Sequence, residues 1–137
     1  MIVGVLPNLD KRGASEIVEK MGKIFKNYGI TAYLPDNICG TDYEHTDDKN
    51  IYDTSDVIVT VGGDGTIIRF AKQAAKKEKP VLGVNAGRLG FLANIEADEL
   101  ELISKLKTGN YTVEDRMLLD INVKEDGKEV YNQLAIN

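Results

Sequence analysis

Apolar residues fall along this chain in short unbroken runs separated by helical stripes. Val57, Ile58, Val59 and Val61 form a β-branched run, too short for a helix and without polar alternation. Such a run predicts a strand buried on both faces of a sheet. Residues 2–6 and 30–34 read the same way, the first ended by Pro7-Asn8 and the second by Pro35. Between them Ala14, Ile17, Val18, Met21, Ile24, Phe25 and Tyr28 recur at the spacing of one amphipathic helix face, with Gly29 placed as its C-cap. Strand, helix, strand at this spacing is a βαβ unit, which predicts a parallel pair with a right-handed crossover. Beyond the central run, Ile67, Ile68, Ala71, Ala74 and Ala75 mark a second helix whose other face carries Arg69, Lys72, Lys76 and Lys77. Residues 80–84 predict the next strand, and Asp98 is placed as the cap of a helix carrying Leu100, Leu102, Ile103 and Leu106, closed by Gly109.

From about residue 112 the period changes. Leu119, Ile121 and Val123 alternate with Asp120, Asn122 and Lys124, the pattern of a half-buried strand. Asp126-Gly127 supplies a turn signal, and residues 130–136 return as a partner strand. The fold class predicted is therefore α/β: a Rossmann-like open parallel sheet with flanking helices over 1–111, then the first hairpin of an all-β second domain over 112–137. The stretch 36–55 is rich in Asp and Glu, poor in aliphatics, and reads as an acidic surface segment. Within it Ile51-Tyr52 reads as a short helical turn packing on the sheet, and the lone His45 as a solvated side chain.

The candidate chemistry sits where the central run stops, at Gly62-Gly63-Asp64-Gly65-Thr66. Three glycines allow positive φ and close approach of another molecule to the main chain. Backbone N–H groups at a helix N-terminus suit an anionic group such as a phosphate, and Thr66 is placed to cap that helix. The loop fits neither G-x-x-x-x-G-K-[ST] nor G-x-G-x-x-G. Asp64 gives it its interest, because a carboxylate is unhelpful beside phosphates unless it has a task. It can accept a proton from a hydroxyl attacking a phosphoryl group, or hold a ribose or Mg²⁺. A second glycine-rich loop, 85–91, follows the next strand on the same sheet edge, so the two define a crevice of the kind that binds ligands in open α/β folds.

Charge and cysteine content narrow the class. The net charge is −5 and no basic stripe is present, which argues against nucleic acid. One unpaired cysteine, Cys39, excludes an intrachain disulfide and a cysteine-rich zinc site, and fits a reducing compartment. No apolar run approaches membrane-spanning length, and the N-terminus opens on a strand pattern rather than a leader. A soluble cytoplasmic domain is expected.

Gly-Gly-Asp-Gly-Thr at 62–66 resembles the motif shared by NAD kinases, diacylglycerol and sphingosine kinases, and 6-phosphofructokinases. The stretch Gly83-Val84-Asn85-Ala86-Gly87-Arg88-Leu89-Gly90-Phe91-Leu92 resembles the NAD kinase pattern G-[IV]-N-x-G-x-L-G-F-L. Lipid kinases carry a G-T-x-N-D-F-A type of stretch there instead. Glu114-Asp115-Arg116-Met117-Leu118-Leu119 is similar to that family's E-x-R-x-L-L entry into its second domain. The resemblance covers essentially the whole chain and implies transfer of the γ-phosphate of ATP to the 2′-hydroxyl of the adenosine ribose of NAD, giving NADP.

On this resemblance Asp64 is the catalytic base, while Gly63, Asp64, Gly65 and Thr66 meet phosphates and ribose. Arg69, by itself an exposed helix residue, is implied to contact phosphate or ribose. Phe91, by itself a core residue, is implied to line the dinucleotide site, and Asn137 to be the first member of a ribose-gripping Asn-Glu or Asn-Asp pair. Mg²⁺ is expected to arrive with ATP rather than in a dedicated metal site. Also implied are a longer, self-associating protein and an inactive isolated fragment. The alternatives are another kinase of the same superfamily, acting on a lipid or sugar hydroxyl, and a non-catalytic dinucleotide-binding module.

Overall fold

Residues 1–136 are described by the structure, a computed structural model. Five strands, β1 (Ile2–Pro7), β2 (Thr31–Pro35), β3 (Glu44–Thr46), β4 (Val57–Gly62) and β5 (Val81–Asn85), form one sheet in the order β3-β2-β1-β4-β5. Every pairing in it is parallel. The helices are α1 (Ala14–Asn27), α2 (Asn50–Thr54), α3 (Asp64–Lys76) and α4 (Lys105–Thr108), the last preceded by a 3₁₀ turn at Leu100–Ser104. The predicted open parallel sheet with flanking helices is the observed one.

Alternate residues of β4 explain its unbroken apolar run. Val57, Val59 and Val61 join Ile17, Met21 and Phe25 of α1 in one core layer, which also takes Ile103 and Leu106. Ile58 faces the other way, into a second layer with Ile51 and Tyr52 of α2 and Ala74 of α3. Both faces of the strand are thus dry, and the expected helical turn at Ile51-Tyr52 packs where it was placed. Gly29 follows α1 with φ 64°, in the left-handed region that ends helices, and its N–H returns to Lys26 O.

Segment 36–55 is more ordered than its composition suggests. Its strand β3 extends the sheet by pairing Tyr33 with Glu44, Leu34 with His45 and Pro35 with Thr46. The anchor is Tyr43, whose hydroxyl donates to Val18 O at 2.6 Å and whose ring meets Phe25 edge-on. Three residues cannot display an alternation, so this strand leaves no local signature. His45 is exposed, with Nε2 3.0 Å from Ile38 O.

Two expected caps are corrected. Helix α3 begins at Asp64, so Thr66 lies inside its first turn; the cap position is Gly63, with no side-chain cap. The amides of Thr66 and Ile67 both donate to Gly63 O, leaving the Thr66 hydroxyl no capping task. Asp98 does not cap either. The 3₁₀ turn starts from Glu99, whose carboxylate accepts the Glu96 N–H at 3.2 Å.

Strands β6 (Leu118–Glu125) and β7 (Lys128–Ile136) form the predicted antiparallel hairpin. Asp126 and Gly127 both have positive φ, 50° and 77°, as a two-residue primed turn requires. The expected half-burial is not met among the described residues: Leu119, Ile121 and Val123 are exposed, because no second layer covers them.

Candidate functional site

The sheet reverses its direction of growth between β1 and β4. From β1 the chain runs outward to β2 and β3, and from β4 it runs the opposite way to β5. A crevice opens at the C-terminal ends of two such strands, where open α/β sheets bind their ligands. Here it lies between the turn after β1 and the glycine loop after β4. Asn8 ties the two: its N–H donates to Val61 O at 2.8 Å and its Nδ2 donates to Thr66 Oγ1 at 3.3 Å. In the sequence Pro7-Asn8 marks only the end of a strand. The role of Asn8 is visible only once Pro7 pairs with Val61.

The glycines of the loop act through space rather than through φ. None of Gly62, Gly63 and Gly65 has positive φ, contrary to the conformational reason expected for them. Gly62 is needed for close approach: a Cβ there would overlap Thr66 Oγ1 and stand 2.7 Å from Thr66 Cβ. Thr66 is buried and cannot retreat without moving the start of α3. Gly62→Ala is therefore expected to cost about 1–3 kcal/mol of stability, read as a lowered thermal midpoint. At Gly63 and Gly65 a Cβ would meet nothing within 4 Å, so these backbones are open to an incoming group beside the positive end of the helix dipole.

Asp64, the first residue of α3, turns its carboxylate to the second loop. Oδ2 accepts the Phe91 N–H and Oδ1 accepts the Leu92 N–H, each at 3.0 Å. These two backbone bonds, the Phe91 one first, hold its carboxyl below the ordinary carboxylate range, against a smaller opposing effect of desolvation. The loops are joined a second time by the Ala86 N–H, which donates to Gly62 O at 2.9 Å. Beneath them Asn85 donates from Nδ2 to Glu96 Oε2 at 2.8 Å, and Asn94 Oδ1 accepts the Gly83 N–H. Asn85 and Gly90 stand in the motif stretch, but the sequence sets no separate task for them or for Glu96, since their partners lie across loops.

Phe91 lies outside the core, 98% exposed in the second loop. Arg69 is exposed on α3, where its guanidinium lies 5.1 Å from the ring centre of its neighbour Phe70 and its charge is felt by Tyr52. Asn137 lies outside the described residues. Among the described residues no three His, Cys, Asp or Glu side chains converge as a metal cage, and no helix is long and apolar enough to cross a membrane.

A parallel sheet that reverses its growth between β1 and β4, with linked glycine loops after β4 and β5, defines an open α/β domain. Residues 3–111 match the family model described as ATP-NAD kinase N-terminal domain. Over 98% of its length the chain is 39% identical to the NAD kinase of Natranaerobius thermophilus, covering 49% of that protein. It is 36% identical to the NAD kinase of Acetivibrio thermocellus, again over 98% of the chain and covering 48% of that protein. The chain belongs to the NAD kinase family, and it spans about half the length of the curated relatives it matches. Its fold is also that of yeast NADH kinase, solved in complex with NADH, at a TM-score of 0.78 and 16% identity over 99% of this chain and 46% of that one.

Proposed function

We propose that this chain supplies the glycine-loop half of an NAD kinase that transfers the γ-phosphate of ATP to the 2′-hydroxyl of the adenosine ribose of NAD. The observation that carries the reading is the join between Asp64 and the second loop, which puts one carboxylate at the contact of both family motifs. An ionised Asp64 accepts the hydrogen bond of the attacking hydroxyl and takes its proton as the new P–O bond forms and the bond to the departing ADP breaks. Positioning and charge stabilisation do most of the work in such transfers. The open backbones at Gly63 and Gly65 meet phosphate oxygens. Thr66, turned to Asn8, shapes the loop from beneath. Arg69 joins a phosphate only by leaving the ring of Phe70.

Mg²⁺ enters in this reading with the phosphates of ATP, where it neutralises charge that a chain of net charge −5 does not. On this reading residues 112–137 open the second, all-β domain, and Asn137 is the first member of its ribose-binding pair. The complete protein works in the cytoplasm as a homo-oligomer.

The test is an acceptor panel. The complete gene product, given Mg-ATP, is offered NAD⁺, a diacylglycerol, a sphingoid base and a sugar phosphate. ADP release dependent on NAD⁺ alone is expected; release dependent on one of the others would replace this reading with the lipid- or sugar-kinase one. Phe91→Ala is expected to leave the thermal midpoint in place, since the ring touches no core, while raising KM for NAD⁺ about tenfold through loss of stacking on the base.

A further inference from the structure

Gly90 is a glycine whose backbone does not call for one: its φ is not among the positive values of the chain. What position 90 lacks is room. A Cβ there would overlap Asp64 Oδ1 and stand 2.9 Å from Asp64 Cγ. The next two residues are Phe91 and Leu92, whose N–H groups hold the two oxygens of the same carboxylate. We propose that Gly90 is a positioning residue for the transfer reaction: by carrying no side chain it forms the seat in which consecutive amides fix the Asp64 carboxylate. That seat sets where an acceptor hydroxyl meets Asp64 and where the Phe91 ring stands.

The catalytic consequence rests on the kinase reading above; the seat itself does not. A carboxylate offers about four lone-pair positions. Two are taken by the amides, which stops rotation of the side chain and leaves the remaining positions directed away from the second loop. Because the donors are adjacent in sequence, the carboxylate cannot shift without moving the Phe91 peptide. The acceptor hydroxyl and the aromatic ring are then placed by one unit. The two amides also keep the group ionised, and among the described residues none of the ion pairs involves Asp64. A carboxylate so held orients a hydroxyl more than it removes its proton early, which suits a loose phosphoryl transition state.

The atoms that an alanine at 90 would strike belong to the end of a side chain, not to backbone. Gly90→Ala therefore displaces the carboxylate and leaves the fold in place. In the 137-residue chain, Asp64 titration and amide exchange at Phe91 and Leu92 are followed by NMR. In the unmutated chain the two amides are protected above the ordinary carboxylate range. That protection is lost only as pH falls through the lowered value of folded Asp64, the sign expected for a depressed carboxyl. In Gly90→Ala the carboxyl returns toward its ordinary range and both amides exchange faster at neutral pH. In the complete gene product the same change lowers kcat about 10- to 100-fold and moves the acid limb of the rate profile to higher pH.

Unchanged titration and exchange in Gly90→Ala would overturn the proposal. If Gly90→Ala unfolds the chain, the Asp64→Ala background decides: alanine at 90 is then tolerated if the seat is its reason, and equally damaging if it is not. Absence of NADP⁺ formation by the unmutated protein would remove the kinase reading while leaving the NMR outcomes to judge the seat.

Discussion

Asp64→Asn is expected to lower the proposed turnover of NAD⁺ to NADP⁺ by about 10²- to 10⁴-fold, the usual loss when a proton acceptor is removed from the reacting group. An amide cannot take the proton of the 2′-hydroxyl. The structure adds a second cost. Both carboxylate oxygens accept backbone N–H bonds, so an Asn at 64 keeps one acceptor and sets its NH₂ group against the other amide. Part of the loss therefore appears as a raised KM for NAD⁺, through a loosened Phe91, beside the larger fall in kcat. Steady-state kinetics at saturating Mg-ATP separate the two. A variant with kcat unchanged and only KM raised would show that Asp64 holds the loop and takes no part in the chemistry. Gly90→Ala complements it by keeping the carboxylate and disturbing only its seat.

Phe25→Ala carries the largest expected effect on stability. The side chain is fully buried between α1 and the sheet, meeting Tyr43 edge-on at a ring separation of 6.2 Å. Truncating a buried Phe to Ala costs about 3–5 kcal/mol, a large part of the roughly 5–15 kcal/mol that holds such a domain together. The thermal midpoint is expected to fall on the order of 15 °C. The damage also reaches the sheet edge, because Tyr43 fixes the segment that carries β3. The glycine loops lie at the C-terminal ends of β4 and β5, beyond Phe25's contacts, so KM values measured well below the transition stay close to those of the unmutated protein. A thermal midpoint within a few degrees of the original would contradict the packing described here.

The parts of this fold that were legible in sequence are those whose signal is local. The run 57–61 announces a strand dry on both faces, and Val59 and Ile58 do face opposite layers. Helix α1 repeats its apolar face over several turns, and Asp126-Gly127 marks its hairpin by the φ values such a turn needs. What escaped depends on partners distant in the chain. Strand β3 is three residues long and exists through its pairing with β2 and the Tyr43 bond to Val18. The 3₁₀ turn before α4 has the apolar spacing of a helix, and it starts from Glu99 rather than from the Asp98 that the sequence offers as a cap.

At the candidate site the sequence displays the glycine loop but not the contacts it makes. Of the two reasons expected for the loop glycines, positive φ is not met, and the close approaches that the structure shows at Gly62 and Gly90 are to Thr66 and Asp64 of the same chain. Asp64 stands out in the sequence as a carboxylate among glycines, but its nearest partners are amides 27 and 28 residues further on. Spacing along the chain cannot show such a contact, because it arises where β4 and β5 lie side by side and bring their two loops together. Arg69 shows the same dependence: five residues past Asp64 it is close in sequence, and what the sequence does not display is its place over the ring of Phe70.

The decisive measurement is NADP⁺ formation from NAD⁺ and Mg-ATP by the complete gene product, assayed beside its folded Asp64→Asn variant. Steady NADP⁺ production by the first and a rate lower by about two orders of magnitude or more in the second is the expected result. A well-folded protein that forms no NADP⁺, or an Asp64→Asn variant that turns over as fast as the original, would contradict the assignment of the reaction to this site.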